Sequence, residues 1–476
     1  MTHCDVLIVG AGSAGSVLAE RLSADPACAV TVLEAGPGPE DAGVRELTHN
    51  GLQLPIGAAS PLVARFETEL TRTPQRVAYL VRGATVGGSG AVNGGYFCRA
   101  TPADIAGWGL PGWSWAEVLE HYRAIETDLD FGAGPEHGSD GPVPVRRTRD
   151  LNGCTAAFVE AASQAGFDWL PDLNAAAGAT HGIGAVPSNI VDGVRIGPGA
   201  AFLEPARTRA NLTVRSATRA TRIRFDRGRA TGVDVVGPGG PDTLTADRIV
   251  LSCGAIGSAH LLMLSGVGAE EQLRAAGVDV TVPAPVGQHC ADHPEWVLPT
   301  NWAVAPSRPV LEVVLSLDGE LEIRPYTGGF IAMMGDGAAG HPDWPHLGVA
   351  LMTPRARGRL TLVAADPSVP PRIAHHYDSA PADVDALRRG TEIARQLAST
   401  ATEVGEPAWS TSQHLCGTAP MGLDGDPHAV TDERCRVRGV DGLWVIDGSV
   451  LPSVPSRGPH ATITMLAHRA AEFVVG

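Results

Sequence analysis

The chain has 476 residues, of which 44% are hydrophobic and 18% are charged, so it is long enough for two or three domain-sized units and too apolar to be disordered. Its formal net charge of -16 at pH 7 repels phosphate backbones, which excludes nucleic-acid binding. The sequence has no apolar stretch long enough to cross a membrane, so no transmembrane segment is predicted.

The first predicted element is a βαβ unit. Residues 5–10 form a short apolar run that ends in glycine, and residues 16–22 show helical spacing. Residues 29–33 (AVTVL) form a second, β-branched run, which ends at Glu34. A strand, a glycine turn, a helix and a second strand within about 30 residues predict a parallel sheet.

The turn of this unit, residues 10–15 (GAGSAG), fits the GxGxxG pattern of nucleotide-binding sites. Gly10 permits the tight turn, Gly12 lets the backbone approach a pyrophosphate, and Gly15 lets the helix pack closely on the strand. Glu34 is placed to accept hydrogen bonds from ribose hydroxyls and would repel the extra phosphate of NADP. The alternative is a glycine turn that only packs a helix, and the turn alone does not separate FAD from NAD.

Farther along the chain the pattern changes. Residues 36–80 give few periodic signals, and residues 130–150 read as a loop rich in glycine and proline. Strand-like runs are predicted within 211–251 and, as an antiparallel sheet, within 299–377; helices are predicted for 155–165, 383–397 and 461–474, and a buried strand for 443–447.

A second glycine-dense segment covers residues 82–95 (RGATVGGSGAVNGG). So bare a backbone can lie against a flat or anionic ligand, and Asn93 could bond to a sugar or ribityl hydroxyl. Taken alone, the segment could equally be a packing loop.

Together with other motifs, this segment resembles the glucose–methanol–choline (GMC) flavin oxidoreductases. Residues 82–93 match that family's flavin loop, RGxxxGGSSxxN, except at Gly90, and residues 254–268 match its second signature except at Ala259. Further matches are GWSW at 112–115, VGQ at 286–288 with DHP at 292–294, and GVDGL at 439–443 leading to DGS at 447–449. The resemblance runs from residue 5 to about 472.

The resemblance implies an α/β (α+β) fold, in which a Rossmann-like FAD-binding domain with a parallel sheet is joined to a substrate domain with an antiparallel sheet covered by helices. The FAD-binding domain is expected to be discontinuous, with residues 1–150, 190–298 and 410–476, and the substrate-binding domain to comprise 151–189 and 299–409. Some family members attach FAD covalently through a histidine directly before the asparagine of the flavin loop. Val92 stands there, so non-covalent FAD is expected.

Most of the residues implied to contact FAD come from the two glycine segments and the C-terminal motifs, and the others lie at the end of the second strand, directly after the second glycine segment, and at position 220. They are Gly10, Gly12, Ser13, Ala14, Gly15, Glu34, Ala35, Arg82, Val86, Gly87, Asn93, Gly94, Gly95, Tyr96, Ala220, Asp447, Gly448, His460 and Ala461.

Two histidines are candidates for catalysis. Oxidising an alcohol requires removal of the hydroxyl proton and transfer of the carbinol hydride, and histidine suits the proton step near neutral pH. His414 opens the sequence HLCGT, which matches the family's HxxGT, and His460 lies in GPHAT, where the family has His or Asn. The resemblance implies that His414 is the primary base and that His460 is a second base or a hydrogen-bond donor to the substrate oxygen.

The other histidines are expected to be structural. The spacing of His289, Asp292 and His293 fits no standard metal site, so a structural loop is expected there and no metal is predicted. His375 and His376 are expected to be solvated or to cap a helix.

Within the family, the segments around residues 34–38, 50–57 and 93–99 resemble the GMC oxidoreductase encoded with the mycofactocin system of actinobacteria. This implies an alcohol-type donor such as reduced mycofactocin, a peptide-derived redox carrier, and electron transfer onward to respiration. The alternatives are an NAD-dependent alcohol dehydrogenase and a flavin-binding protein without catalysis. The eight scattered cysteines and the lack of a basic N-terminal segment predict a cytoplasmic protein, and peripheral membrane contact stays possible.

Overall fold

The structure is a computed structural model that describes residues 2–175, 180–303, 307–330, 343–398 and 400–475. The strands are β1 (Thr2–Val9), β2 (Val30–Leu33), β3 (Val63–Arg72), β4 (Gln75–Gly83), β5 (Glu126–Asp128), β6 (Val143–Val145), β7 (Trp169–Leu170), β8 (Gly182–Ala185), β9 (Ile190–Val191), β10 (Val194–Arg195), β11 (Leu212–Arg215), β12 (Arg219–Asp226), β13 (Arg229–Gly237), β14 (Gly240–Leu251), β15 (Val267–Gly268), β16 (Val282–Pro283), β17 (Pro294–Pro299), β18 (Val313–Leu317), β19 (Leu321–Gly329), β20 (Pro345–Leu351), β21 (Arg359–Thr361), β22 (Arg372–Ala374), β23 (Ala408–Thr411) and β24 (Leu443–Val445).

The α-helices are α1 (Ser13–Leu22), α2 (Ala42–His49), α3 (Pro102–Trp108), α4 (Trp115–Ile125), α5 (Gly153–Gln164), α6 (Glu204–Ala206), α7 (Gly254–Leu264), α8 (Glu270–Ala275), α9 (Pro381–Leu397) and α10 (His460–Val475). Local sequence explains several of their ends. Thr101 and Ser114 open α3 and α4 with capping boxes, in which the side chain accepts a backbone N–H three residues on. Pro381 supplies the first residue of α9, where its missing N–H costs nothing.

The first sheet is built on the predicted βαβ unit. Its strand order is β11-β2-β1-β14-β13-β12, and β24 pairs with the C-terminal half of β14. Strands β11, β2, β1, β14 and β24 are parallel, with Val6 opposite both Val30 and Arg248. The predicted parallel sheet is therefore confirmed, and the antiparallel strands β12 and β13 extend it on one side. Because parallel strands end at one edge, the turns after β1 and β2 meet there.

The second sheet has the order β23-β17-β20-β19-β18-β8-β7 and is antiparallel apart from the pair β7–β8. Helices α5 and α9 pack on it around a separate core that includes Phe158, Ile323 and Leu387. The predicted antiparallel sheet covered by helices is confirmed, as is the helix predicted at 383–397.

A hairpin of β3 and β4 joins the two halves of the chain. Strand β22 pairs with β3 in parallel, so residues 372–374, which were assigned to the substrate domain, bond to a hairpin assigned to the FAD-binding domain. The predicted domain boundaries stay predictions. Among the described residues, no helix is long and apolar enough to cross a membrane.

Candidate active site

A cavity of about 800 Å³ opens between elements of both sheets and the β3–β4 hairpin. Its wall contains most of the residues predicted to contact a cofactor, together with both candidate catalytic histidines: Gly10, Gly12, Ser13, Ala14, Glu34, Ala35, Arg82, Asn93, Gly94, Tyr96, Ala220, Asp447, Gly448, His414 and His460. The fold thus gathers onto one wall residues that lie as far apart in sequence as Gly10 and His460.

The N-terminus of α1 lies at the wall of the cavity. Gly12 occupies the N-cap position of this helix, and no side chain caps the free backbone N–H groups. A Cβ built on Gly12 would lie 3.8 Å from the Cα of Gly88 and from the carbonyl oxygen of Ser252, and the turn residues Gly12, Ser13 and Ala14 line the cavity. Uncapped N–H donors and a positive helix dipole at the cavity wall are features that suit a diphosphate, so contact of this turn with one stays a prediction.

Glu34 lies beside this turn at the end of β2 and is 8% exposed. Its carboxylate accepts hydrogen bonds from the backbone N–H groups of Ala11, at 3.1 Å, and Gly36, at 3.0 Å. Burial raises the pKa of Glu34 to about 7, against the lowering effect of these bonds. Hydroxyl donors would stabilise its ionised form, so the residue fits the ribose of an adenosine.

The second glycine segment packs directly on the first. The backbone N–H of Gly87 donates to the carbonyl of Ala11 at 2.7 Å. Gly88 has a φ of +55°, and a Cβ there would lie 2.7 Å from the Cα of Gly12. Only glycine allows so close an approach, so the two loops form one continuous wall.

Five residues of the predicted cofactor set do not line the cavity: Gly15, Val86, Gly87, Gly95 and Ala461. Their structural environment is packing behind the wall. A Cβ on Gly15 would lie 1.9 Å from the carbonyl oxygen of Gly10, and Ala461 is fully buried in the first turn of α10. Direct contact of these five residues with a cofactor stays a prediction.

The Gly15→Ala variant tests how the turn is held. The added methyl group cannot coexist with the Gly10 carbonyl, so α1 must move away from β1. Overpacking of this kind costs typically about 1–3 kcal/mol, and we expect affinity for FAD to fall by about 5- to 150-fold. Titration of apoprotein with FAD, followed by flavin fluorescence, measures the change. Gly107→Ala in α3, where a Cβ would meet no atom within 4 Å, is the matched control. Equal affinity of both variants would contradict this account.

The two candidate catalytic histidines lie on the wall of the same cavity. The backbone N–H of His414 donates to Asp292 at 2.7 Å, and its Nδ1 lies 2.9 Å from Nδ1 of His293. His460 opens α10, packs edge-on against Phe97, and has Nδ1 3.1 Å from Nδ2 of Asn93. Its Nε2 is buried without a hydrogen-bond partner among the residues that the structure describes.

Both histidines are uncharged near neutral pH. Burial, the neighbouring His293 and two arginines lower the pKa of His414 well below its usual value. Burial and the more distant Arg195 lower the pKa of His460 to about 4. Two neutral imidazoles on one cavity wall can each accept or donate one proton, according to their tautomers.

The prediction that Asp292 and His293 are merely structural missed their place beside His414. Asp292 is 2% exposed and accepts hydrogen bonds from His414, His293, Tyr377 and Thr411. The DHP motif at 292–294 was the signal that could have assigned them to the site.

The expectation that His375 is solvated or caps a helix was wrong. His375 is 2% exposed and stacks on Tyr377 with ring centroids 4.8 Å apart, because β22 carries it into the interior beside β3. His376 lies at the start of the short 3₁₀ turn Tyr377–Ser379, without a capping side-chain bond.

A cluster outside the cavity has the composition of a metal site: Glu126, Asp128 and His137. The ligand atoms are already engaged, since Arg147 binds Asp128 at 2.9 Å and His137 contacts carboxylates through both ring nitrogens. Burial opposes the charged imidazole, yet hydrogen bonds to Asp128, Asp172 and Glu126 raise the pKa of His137 to about 10. Protonated His137 and Arg147 therefore supply the positive charge that this cluster requires.

Comparison with known proteins identifies the family. Residues 4–295 match the N-terminal family model of the GMC oxidoreductases, and residues 354–467 match the C-terminal one. The chain belongs to the GMC oxidoreductase family. It is thus an FAD-dependent oxidoreductase, and the open helix terminus, Glu34 and the paired glycine loops fit that cofactor. The family match therefore favours FAD over the alternative of an NAD-dependent enzyme with the same nucleotide-binding fold.

The similarity to known relatives and solved structures covers nearly the whole chain. It is 41% identical to a GMC-type oxidoreductase in the thcA 5′ region of Rhodococcus erythropolis, over 100% of this chain and 99% of that one. It is 31% identical to an oxygen-dependent choline dehydrogenase of Sinorhizobium fredii, over 100% and 96% of the two chains. The crystal structure of pyridoxine 4-oxidase from Mesorbium loti superposes with a TM-score of 0.90 at 28% identity, covering 98% of each chain.

Proposed function

We propose that this GMC oxidoreductase oxidises an alcohol, with His414 as the acceptor of the hydroxyl proton and His460 as a hydrogen-bond donor to the substrate oxygen. FAD, when bound, supplies the acceptor for the hydride of the carbinol carbon. The observation that carries the proposal is that both imidazoles, each uncharged, lie on the wall of the cavity that begins at the nucleotide turn.

The neighbours of His460 support its role as a donor. The carbonyl oxygen of the Asn93 side chain accepts the N–H of Gly95 at 3.0 Å, which directs the amide nitrogen towards His460. Nδ1 of His460 must then accept, so the single proton of the neutral ring is on Nε2. A buried N–H without a protein partner is satisfied when a substrate oxygen approaches it.

This tautomer leaves the role of base to His414. A base must be unprotonated at its cavity-facing nitrogen, and the lowered pKa of His414 keeps the ring neutral at pH 7. Proton removal by His414 and donation by His460 then act on the same oxygen. Both interactions strengthen as negative charge develops there, which is the condition for catalysis rather than mere binding.

We further propose that the donor is reduced mycofactocin or a related alcohol. The resemblance of segments 34–38, 50–57 and 93–99 to the mycofactocin-system enzyme supports the donor, and respiration is the proposed acceptor of the electrons. Choline and pyridoxine, for which two similar proteins are named, are alcohols as well. FAD is proposed to be held without a covalent bond, because the side chain of Val92 on the cavity wall carries no heteroatom.

Anaerobic reduction of the bound flavin tests the function. Purified protein is mixed with a donor panel of small alcohols, choline, pyridoxine and reduced mycofactocin, and flavin absorbance is recorded. At least one alcohol is expected to bleach the flavin, and reduced mycofactocin is expected to do so fastest. The methyl ether of each reactive alcohol, which has no hydroxyl proton, is the control. Flavin that stays oxidised with every alcohol would contradict the proposal and favour a flavin-binding protein without catalysis.

A further inference from the structure

His293 contacts His414, which lines the cavity. The two Nδ1 atoms are 2.9 Å apart, and the rings are perpendicular, with centroids separated by 5.1 Å. His293 is fully buried, and its Nε2 has no hydrogen-bond partner in the described part of the chain. The contact with His414 is therefore the one polar contact that the structure gives the His293 ring within those residues.

Asp292 fixes the backbone positions of both histidines. Its Oδ1 accepts the backbone N–H of His293 at 2.8 Å and that of His414 at 2.7 Å. Its Oδ2 accepts the hydroxyl groups of Tyr377 and Thr411. A carboxylate with four donors fixes two backbone segments that are more than 100 residues apart, so the contact between the imidazoles is built into the fold.

The contact between the two rings contains one proton. Burial lowers the pKa of His293 to about 4 and that of His414 well below its usual value, so both rings are neutral at pH 7. Two neutral imidazoles that meet through Nδ1 require one ring to donate and the other to accept. If His293 donates, His414 carries its proton on Nε2 and cannot act as a base. If His414 donates, its Nε2 is free.

We propose that His293 is a positioning residue that accepts the Nδ1–H of His414 and so keeps Nε2 of His414 unprotonated for the substrate hydroxyl. This inference rests on the proposed base role of His414. Its own content is the tautomer of His414, for which His293 is the side-chain partner that the described residues provide, since the bond from Asp292 reaches the backbone of His414.

The proton balance of the step is simple. The O–H bond of the substrate breaks, an N–H bond forms at Nε2 of His414, and the Nδ1–H of His414 stays hydrogen-bonded to His293. No second proton leaves the pair, because Nε2 of His293 already carries one. The positive charge that forms on His414 faces Arg82 and Arg324, which disfavour it; around the pair, Asp292, Glu322 and Asp104 favour it.

Three variants separate a hydrogen-bonding role from a packing role. His293→Ala removes the acceptor, and we expect kcat to fall about 10- to 150-fold with KM and FAD content little changed. His293→Asn can place an acceptor oxygen near the position of Nδ1, and is expected to recover most of that loss. His289→Ala changes an exposed histidine of the same loop and is expected to leave kcat unchanged. Equal losses in the Ala and Asn variants, or no loss in either, would overturn the proposal.

A spectroscopic measurement on the unaltered holoenzyme reads the tautomer directly. In protein labelled with ¹⁵N-histidine, the His414 resonances, identified by their loss in His414→Gln, are expected to show a protonated Nδ1 and an unprotonated Nε2. The reverse pattern would overturn the role of His293 even if alcohols still reduce the flavin. Failure of every alcohol to reduce the flavin would instead strike the proposed function, so the two failures are distinguishable.

Discussion

Replacing His414 with alanine is expected to lower kcat/KM for the alcohol about 10²–10⁴-fold, the usual contribution of a general base, while FAD stays bound. The loss follows from removing the group that takes the hydroxyl proton. Retention of FAD is expected because the groups proposed to hold its diphosphate and ribose, the turn after β1 and Glu34, are unchanged in this variant. Stopped-flow reduction of the flavin and the ratio of flavin to protein absorbance measure the two quantities.

The same variant changes the pH profile. Because the pKa of His414 is well below its usual value, the neutral base is the dominant form at pH 7 and remains so as the pH falls below 6.5. Flavin reduction by the wild-type protein should therefore stay fast under mildly acidic conditions, and its acid limb should reflect protonation of His414. In His414→Ala this limb should disappear, since no group in the variant takes its place.

A control variant and two contradicting results are defined for the base role of His414. His428→Ala removes an exposed histidine and is expected to leave the rate and the profile unchanged. An unchanged rate in His414→Ala would remove His414 from the role of base. Loss of FAD from that variant would show that His414 has a structural role in binding FAD instead.

The sequence predicted best what is determined locally. The βαβ unit could be read within 30 residues, since the apolar run, the glycines and the β-branched run each fix one element, and the register of β1 with β2 confirms the pairing. The helices at 383–397 and 461–474 were likewise visible in periodicity and correspond to α9 and α10. The family resemblance then indicated which histidines to consider.

The β3–β4 hairpin carries a local strand signal in its sequence, although the sequence analysis did not predict it. Phe66, Thr68 and Leu70 alternate with charged residues in β3, which is the period-2 pattern of a strand with one buried face. The hairpin lies across both halves of the chain, and its residues Phe66 and Tyr79 contribute to the cavity wall. The hairpin was not predicted from the sequence, because the glycine and proline residues elsewhere in 36–80 weaken the periodic signal of that range.

The environment of His293 could not be predicted from the sequence in this way. Its partner His414 is more than 100 residues distant, and long-range contacts such as the pairing of β17 with β23 bring their loops together. A buried polar contact of this kind has no periodicity and no fixed spacing. Motif DHP marked the place but not the role.

The network around Glu322 has the same long-range character and carries the largest expected effect on stability. Glu322, on β19, has no exposed surface, and its carboxylate accepts hydrogen bonds from Arg324 at 2.8 and 3.0 Å, from Arg457 at 3.3 Å and from the hydroxyl of Tyr96 at 2.9 Å. Although burial opposes ionisation, the two guanidinium groups lower the pKa of Glu322. The ionised carboxylate therefore links β19 to Tyr96, directly after the second glycine segment, and to the loop before α10.

Glu322→Gln is expected to lower the free energy of unfolding by about 3–5 kcal/mol, the cost of removing one partner from a buried ion pair. The amide is neutral and turns an N–H₂ group towards donors, so Arg324 and Arg457 lose the negative charge of Glu322, while Arg324 retains Glu295 at 3.4 Å. Glu320→Gln is the matched control: Glu320 lies two residues earlier, its side chain is 47% exposed, and it pairs with Arg389 at 3.0 Å, so the change in unfolding free energy should stay within about 1 kcal/mol. Denaturant titration of both variants, followed by circular dichroism, measures the difference. Since Tyr96 lines the cavity, Glu322→Gln should also weaken FAD binding. A similar free energy of unfolding for the two variants would contradict the prediction, because the buried charges would then contribute no more than a surface pair.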